Sequence, residues 1–522
     1  MMRVIFRFTA VFTLTVSQTC FSFVMQSVND QNNNKMVMMM RDNIHSSKKE
    51  FMTLSSTLSP TDIEEVDTSL PSEENVPEYK SPGEFENTKF QCDENVKVWA
   101  DLNRDGTMEP SDRIAEIVKI GNRFASKGGE ALNYWLRHNI RTGYFVSNSA
   151  FGVFGSSLHE RLVGQKGNND NNNASWDFLK NPAQPEVISR ILLEASLAYE
   201  QDYKRISDGK YKLPYDMYTL NRQNSPIFAG QQTIRFVNEA IGTIARSNRG
   251  TEEDKRTWLT GTKSSLYPDY YHNAFHYQTD GWMSSTSANV YETSTETLFL
   301  GRQDAMQRTA LAPLVEYAND TEQMKRNNGR PLKVLEVACG TGRFLTFARD
   351  NLPAETEFAA VDLSPFYLDK ARDNDKNWRS IRKQNNGSDD VEPVEVKPLR
   401  LVQAKAEDLP FSDEEFDVVM CIYLYHEVPR KVRSQISKEM ARVTKGGGLV
   451  IFTDSIQLGD RPSLDATIGN FGKMNEPHYV DYTTDCLPKH FENSGLECLT
   501  KSVCSTTKTL TFKKPQMETT SK

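Results

Sequence analysis

Tyr423-Leu424-Tyr425-His426-Glu427-Val428-Pro429 packs an imidazole, a phenol and a carboxylate into about one turn of chain. Such a group of side chains moves protons, because histidine titrates near neutrality and its neighbours can tune it. His426 is the preferred general base, with Tyr425 beside it; the competing reading is that His426 caps the following helix or pairs with Glu427. A second polar run, Thr453-Asp454-Ser455-Ile456-Gln457-Leu458-Gly459-Asp460-Arg461-Pro462, is unusually polar for a connection beside a core, and Asp454 and Arg461 are candidates to bind a small molecule. Asn475-Glu476-Pro477-His478-Tyr479 is either a lid or a surface turn. Upstream, Tyr267 to Tyr271, Phe275-His276-Tyr277-Gln278-Thr279-Asp280-Gly281-Trp282 and Gly301 to Arg308 interleave aromatic and polar residues densely. His276 and Gln278 are the substrate candidates there, although the aromatic residues fit core packing equally well.

A second motif binds rather than reacts. Val334 to Leu345 reads as a buried strand, a tight turn with Gly340 and Gly342, and the start of a helix, so a ligand can approach the backbone. A dinucleotide fingerprint requires Gly or Ala at position 345; this chain has Leu345, which disfavours NAD. Asp362 closes the next strand 20 residues after Gly342, where a carboxylate accepts hydrogen bonds from two ribose hydroxyls.

These residues need a scaffold, and the hydrophobic rhythm supplies one. Short apolar runs at Lys333–Val337, Glu357–Val361, Leu399–Gln403, Phe416–Ile422 and Leu449–Phe452 alternate with helical segments, and Leu496–Val503 and Thr507–Phe512 follow. That alternation predicts a doubly wound α/β unit over 325–513, a parallel sheet covered on both faces. Asp373 to Lys397 is polar and reads as a loop expansion. Before the sheet the pattern is mainly helical, as in Glu186 to Tyr203 with Ile188, Ile191, Leu192, Leu197 and Tyr199, and the Asn run within Gly167–Ala174 reads as a surface loop. The expected organisation is a targeting segment over 1–23, a disordered linker over 24–88, a helical accessory segment over 89–160, a helical cap over 161–324, the sheet domain over 325–513 and a tail over 514–522.

The motifs of 325–513 resemble those of class I S-adenosylmethionine-dependent methyltransferases of the type 11 group, which includes quinone and other small-molecule methyltransferases. Glu336, Gly340 and Gly342 match the first motif, and Ala404-Lys405-Ala406-Glu407-Asp408-Leu409-Pro410-Phe411 with Phe416-Asp417-Val418-Val419 resembles the adenine-side segment. Lys445-Gly446-Gly447-Gly448 stands for the turn before the fifth strand. The resemblance implies a seven-stranded Rossmann-like methyltransferase sheet and S-adenosylmethionine as cofactor. It implies that Glu336 orients the loop and the methionine amine, that Gly340 and Gly342 admit methionine and ribose, and that Asp362 holds the ribose. The implied cofactor set is completed by Ala338, Leu363, Ala406, Glu407 and Tyr423. Two positions depart from the pattern: Ala338 stands where many members have Gly, and Lys405 where members place an Asp for the adenine amino group, which leaves that role to Glu407 or a backbone carbonyl. Residues 267–308 resemble the N-terminal extension of plant and cyanobacterial methyltransferases of unassigned substrate. In-line methyl displacement from a sulfonium depends on alignment, exclusion of water and, for a hydroxyl acceptor, removal of a proton; it requires no metal or covalent nucleophile.

Composition narrows the partners. With 62 Lys and Arg against 70 Asp and Glu, a net charge of -8 and no long basic stripe, nucleic acid is a poor partner and a small-molecule methyl acceptor a better one. The motifs of nucleic-acid base methylation are absent. No apolar run after the N-terminus approaches the roughly 20 residues of a membrane-spanning helix. Arg3 and Arg7 flank the apolar Phe8–Val16, and Phe21-Ser22-Phe23 resembles the two-part presequences of algae with secondary plastids, so a plastid is expected, with the secretory pathway as alternative. Of the 7 cysteines, Cys339 and Cys421 fall inside the motifs, which suits a reducing compartment. Asp101-Leu102-Asn103-Arg104-Asp105-Gly106 through Asp112 has the spacing of a calcium loop with Asp at the twelfth position, against a helix-capping Asx turn. The alternative to an enzyme is a cofactor-binding regulatory or assembly protein that transfers nothing and uses its helical region to bind a partner.

Overall fold

The computed structural model describes residues 90–104, 108–163, 185–217, 239, 266–273, 276, 278, 280–321, 328–385 and 396–516. The expected targeting segment, the whole linker, the Asn-rich loop and positions 105–107 of the calcium-type loop lie outside them. The chain divides into Met1–Glu78 with Asn181–Ile188 and Tyr79–Lys180 with Ser189–Lys522; the fold below is that of the second.

Eight strands form one sheet: β1 (Gln91–Cys92), β2 (Lys333–Val337), β3 (Glu357–Asp362), β4 (Arg400–Gln403), β5 (Phe416–Ile422), β6 (Thr444–Ser455), β7 (Glu497–Cys504) and β8 (Thr507–Lys513). Their order is β1-β7-β8-β6-β5-β2-β3-β4. β8 runs antiparallel to β6 and β7, and every other pairing is parallel. Every residue of β5 is buried, which matches its unbroken apolar sequence, since a central parallel strand has both faces covered. Alternate residues feed two cores. Val334, Val418 and Met420 pack with Phe344, Phe347 and Trp378 on one face, while Leu335, Val337, Val419 and Cys421 pack with Ile436, Met440 and Phe491 on the other.

The seven expected strands are present, and β1 adds an eighth. Two residues carry no periodicity, so this strand was invisible in the sequence; Gln91 and Cys92 pair with Thr500 and Lys501 at the edge of β7.

The helical layer before the sheet comprises α1 (Glu94–Asp101), α2 (Pro110–Ser126), α3 (Gly129–Val163), α4 (Pro185–Ser207), α5 (Ser285–Leu298), α6 (Gln303–Gln307) and α7 (Leu311–Asn319). Ser284 caps α5 by accepting from the Ser287 amide at 3.0 Å. Buried charge pairs lock this layer: Arg308 on Asp202, and Arg343 on Asp304 at 2.7 Å and Asp216 at 2.8 Å. After β2 come α8 (Arg343–Asn351), α9 (Pro365–Asn385), α10 (Arg430–Val443), α11 (Asp465–Ile468), α12 (Tyr479–Thr483) and α13 (Leu487–Glu492).

Of the loop expected over Asp373 to Lys397, Asp373 to Asn385 are instead the second half of α9, and 386–395 lie outside the described residues. A narrow apolar stripe explains the difference: Leu368, Ala371, Trp378 and Ile381 are buried at helical spacing while their neighbours stay polar. Among the described residues no helix is long and apolar enough to cross a membrane.

Candidate active site

The chain leaves β2 toward β3 and β4 on one side, then returns to build β5 and β6 on the other. The carboxyl ends of β2 and β5 therefore form the switch point where open α/β sheets bind ligands. A cavity lies there, about 1070 Å³ with its open mouth included. Glu336, Ala338, Cys339, Gly340 and Thr341 line it from β2 and its turn, Asp362 and Leu363 from the end of β3, Ala404 and Ala406 from the segment after β4, and Ile422, Tyr423 and Glu427 from the end of β5 and the turn after it.

The turn that shapes this cavity is tightly wound. Ala338, Gly340, Gly342 and Tyr423 all have φ between 54° and 69°, a conformation that costs a residue with a Cβ roughly 1–2 kcal/mol. Ala338 and Tyr423 bear that cost directly at the ligand-facing surface. Gly340 faces open space where a Cβ would stand, so the backbone there is accessible. Gly342 serves packing instead: its Cβ would sit 2.9 Å from the Ala371 Cβ on α9, and it does not line the cavity.

Two carboxylates define what the cavity accepts. Asp362 takes the Gly340 amide on Oδ2 at 2.8 Å and the Ser364 amide on Oδ1 at 2.8 Å, which fixes the carboxylate and leaves its outer lone pairs to a ligand. Burial pushes its pKa up to about 6 against the pull of those amides. Glu336 is 2% exposed and its Oε2 has no partner. Burial and the Asp362 charge hold its pKa well above the usual range, so the carboxylate is short of a cation. A ligand with a cationic group and vicinal hydroxyls fits both, as the amino-acid end and the ribose of S-adenosylmethionine would. Glu407 lies outside the cavity lining, its carboxylate held by the Tyr270 hydroxyl at 2.8 and 2.9 Å. Lys405 stands 3.9 Å from Asp408.

A second cavity, of about 1030 Å³ with its mouth, shares Tyr291, Thr295, Gln303, Tyr423 and Glu427 with the first. Leu298, Phe299, Ile456, Leu464, Ile468 and Phe471 make its walls apolar, and His276, His426, Glu427 and Glu476 bring titratable groups to it. His426 Nδ1 is 2.5 Å from Asp454 Oδ1, at the end of β6. Burial alone would lower the imidazole pKa, but the Asp454 charge and hydrogen bond, with Glu476 and Glu427 nearby, raise it to about 10. Burial raises Glu427 to about 8 despite the pull of His426. It raises Glu476 to about 7. His276 Nδ1 lies 3.1 Å from Glu476 Oε1, and burial with the His426 charge lowers the His276 pKa to about 4.

The candidates from the sequence thus separate. His426 and His276 meet at the second cavity. Tyr425 does not: it is fully buried, and its hydroxyl bonds Ser437 Oγ at 2.9 Å because the 3-10 turn Tyr425–Glu427 directs it into the core against Phe452 and Phe491. Gln278 lines neither cavity and donates to the Tyr367 hydroxyl at 2.9 Å, bracing the wall beneath Trp282. Asp454 is fully buried and faces His426 and the Tyr425 amide, at 2.8 Å, rather than a ligand. Arg461 is likewise internal, paired with Glu194 at 3.2 Å. Sequence reasoning missed Tyr291, Thr295 and Glu296, although Tyr291/Thr295 and Glu292/Glu296 are two i,i+4 pairs on α5 that mark one helix face. It also passed over Gln303, Gln307 and, as a buried acid, Glu476. In the calcium-type loop, Asp101 pairs with Lys97 at 2.9 Å and Asn103 Oδ1 accepts the Met108 amide at 2.8 Å. Among the described residues no cluster of metal-binding side chains occurs.

Residues 335–452 match the family described as a methyltransferase domain, type 11. The chain is 30% identical over 183 residues to a demethylmenaquinone methyltransferase of Bacillus cereus, covering 32% of this chain and 70% of that protein. A demethylmenaquinone methyltransferase of Bacillus mycoides is 28% identical over 158 residues, covering 29% of this chain and 59% of the relative. Among solved structures, a magnesium protoporphyrin IX methyltransferase from Synechocystis with bound S-adenosylmethionine is 13% identical, with a TM-score of 0.26 over 41% of this chain and 81% of that one. The matched stretch contains the β2 turn, Asp362 and the end of β5, the same elements that build the first cavity. The chain belongs to the class I S-adenosylmethionine-dependent methyltransferases of the type 11 group, enzymes whose cofactor is S-adenosylmethionine.

Proposed function

We propose that the first cavity holds S-adenosylmethionine and that the chain transfers its methyl group to a neutral, largely apolar ring acceptor bearing an ionisable hydroxyl, seated in the second cavity. The observation that carries this reading is the pair of adjoining cavities, one polar with Glu336 and Asp362, the other apolar with His426 and Glu427 where the two meet. The cofactor, when bound, supplies an electrophilic methyl group. Glu336 would take its ammonium, Asp362 its ribose hydroxyls, and Gly340 would let it approach the backbone. Helices α5 and α6, the cap in this reading, cover both ligands.

Glu427 is the base in this proposal, rather than the His426 that sequence alone favours. With its pKa at about 10, His426 is an imidazolium at neutral pH, pinned by Asp454. Glu427, raised to about 8, has the basicity a proton acceptor needs near the working pH. Glu427 takes the hydroxyl proton and the fixed imidazolium stabilises the oxyanion, which activates the oxygen and the conjugated ring carbon alike. The acids Glu427 and Glu476 disfavour an anionic acceptor, and Arg190, the one arginine lining the cavity among the described residues, faces Glu194 at 3.7 Å. The names of the Bacillus relatives, which act on demethylmenaquinone, agree with a ring acceptor.

The test is transfer of a labelled methyl group from S-adenosylmethionine to hydroxylated naphthalenes and to their carboxylated analogues. Labelling of the neutral rings but not of the carboxylates is expected. Preferential labelling of carboxylates, or none in protein that binds the cofactor, would contradict the proposal and leave a binding protein without chemistry.

A further inference from the structure

We propose that Glu296, Gln303 and Gln307 complete, from the helical layer, the ammonium site that Glu336 opens from the sheet, so that the cofactor's amino-acid end is clamped between α5–α6 and β2. The inference rests on the cofactor assignment and adds residues outside the matched stretch 335–452.

Four residues that line the first cavity each carry a buried oxygen without a hydrogen-bond partner: Glu336 Oε2, Glu296 Oε2, Gln303 Oε1 and Gln307 Oε1. All four side chains are more than nine-tenths buried. Glu296 is committed on one side only, its Oε1 accepting from Arg141 at 2.6 Å and from the Asp304 amide at 3.0 Å. The neighbouring guanidinium groups are already engaged: Arg343 with Asp304 and Asp216, and Arg141 with Glu296 and Asp304. The four unpartnered oxygens are all carboxylate or amide acceptors. Desolvated acceptors without partners are costly, and a primary ammonium, with three N–H donors and a full charge, is the compact group that answers several of them at once. Burial raises the pKa of both Glu296 and Glu336, as expected of carboxylates waiting for a cation.

The amino-acid end can be separated from the rest of the ligand. S-adenosylhomocysteine carries it, whereas 5′-methylthioadenosine keeps the adenine, ribose and sulfur but lacks it. Calorimetric affinities of the full chain for both should therefore diverge on Glu296→Gln. The S-adenosylhomocysteine Kd should rise roughly ten- to hundredfold, the range of a charge-assisted hydrogen bond, and that for methylthioadenosine should stay within about threefold. Because Glu296 also braces Arg141, Gln303→Leu provides a second variant outside that ion pair, with the same divergence expected. Unchanged S-adenosylhomocysteine affinity in both variants, or equal loss for both ligands, would overturn the clamp. Failure of the wild-type chain to bind either ligand would instead overturn the cofactor assignment on which the clamp depends.

Discussion

Replacing Asp454 by Asn removes one charge from the site while keeping the shape. The side chain can still accept the Tyr425 amide, now at 2.8 Å, and it stays fully buried. Without the carboxylate, burial dominates His426. His276 shows how far burial can pull an imidazole: even with Glu476 at 3.1 Å, burial and the His426 charge lower its pKa to about 4. His426 should therefore fall from about 10 to its ordinary value of roughly 6.5 or below. The proposed chemistry needs Glu427 as carboxylate and His426 as imidazolium together. With Glu427 near 8 and His426 near 10, that form dominates around pH 9 and the rate profile is a bell. With His426 at 6.5 the two limbs cross, and the productive form never exceeds roughly 2%, a loss of about 30- to 100-fold at the best pH. The assay is an NMR titration of the His426 ring in wild type and Asp454→Asn, alongside methyl transfer to a hydroxynaphthalene from pH 6 to 10.5. A His426 that titrates alike in both proteins, or a variant whose alkaline limb has not moved, would refute the reasoning.

Asp362→Ala removes the carboxylate fixed by the Gly340 and Ser364 amides, and should weaken S-adenosylhomocysteine binding by at least about 100-fold in calorimetry, as loss of two hydrogen bonds to a charged group predicts. Glu427→Gln should abolish the rise of activity through about pH 8. It should also flatten the pH dependence of stability: the folded-state pKa lies above the ordinary one, so the wild-type contribution is whole below about pH 4.5 and is lost as pH rises through about 8, a loss the amide lacks in thermal melts. Gly342→Ala should cost about 2–3 kcal/mol in denaturant unfolding, because φ is 69° and the new Cβ would meet the Ala371 Cβ at 2.9 Å.

The sheet was legible because its strands are short apolar runs that stop at turns; β2 and β5 begin and end where the sequence placed them. The β2 turn was legible too, since Gly340, Gly342 and Asp362 sit at fixed distances along one strand-turn-helix-strand unit. What was not legible depends on contacts between distant segments. Asp454 lies 28 residues from His426, and only the parallel pairing of β5 with β6 brings them together. Tyr425 and His426 are adjacent in sequence, yet the 3-10 turn sends one into the core and the other to a cavity. Asp454 and Arg461 are polar residues beside a core, and polarity alone did not distinguish a ligand contact from a buried ion pair. Trp378 and Ile381 hide a helix stripe within a polar stretch. In the helical layer only the i,i+4 pairs of α5 marked a face, and Gln303 and Gln307 acquire meaning only against the sheet.

The most direct test of the account is a crystal structure of the full chain with S-adenosylhomocysteine. The account predicts ribose hydroxyls on Asp362, the ammonium at Glu336, and the sulfur beside Tyr423 and Glu427 where the two cavities meet, facing His426 across the second. A ligand with its ribose away from Asp362, or its sulfur turned from the second cavity, would contradict it.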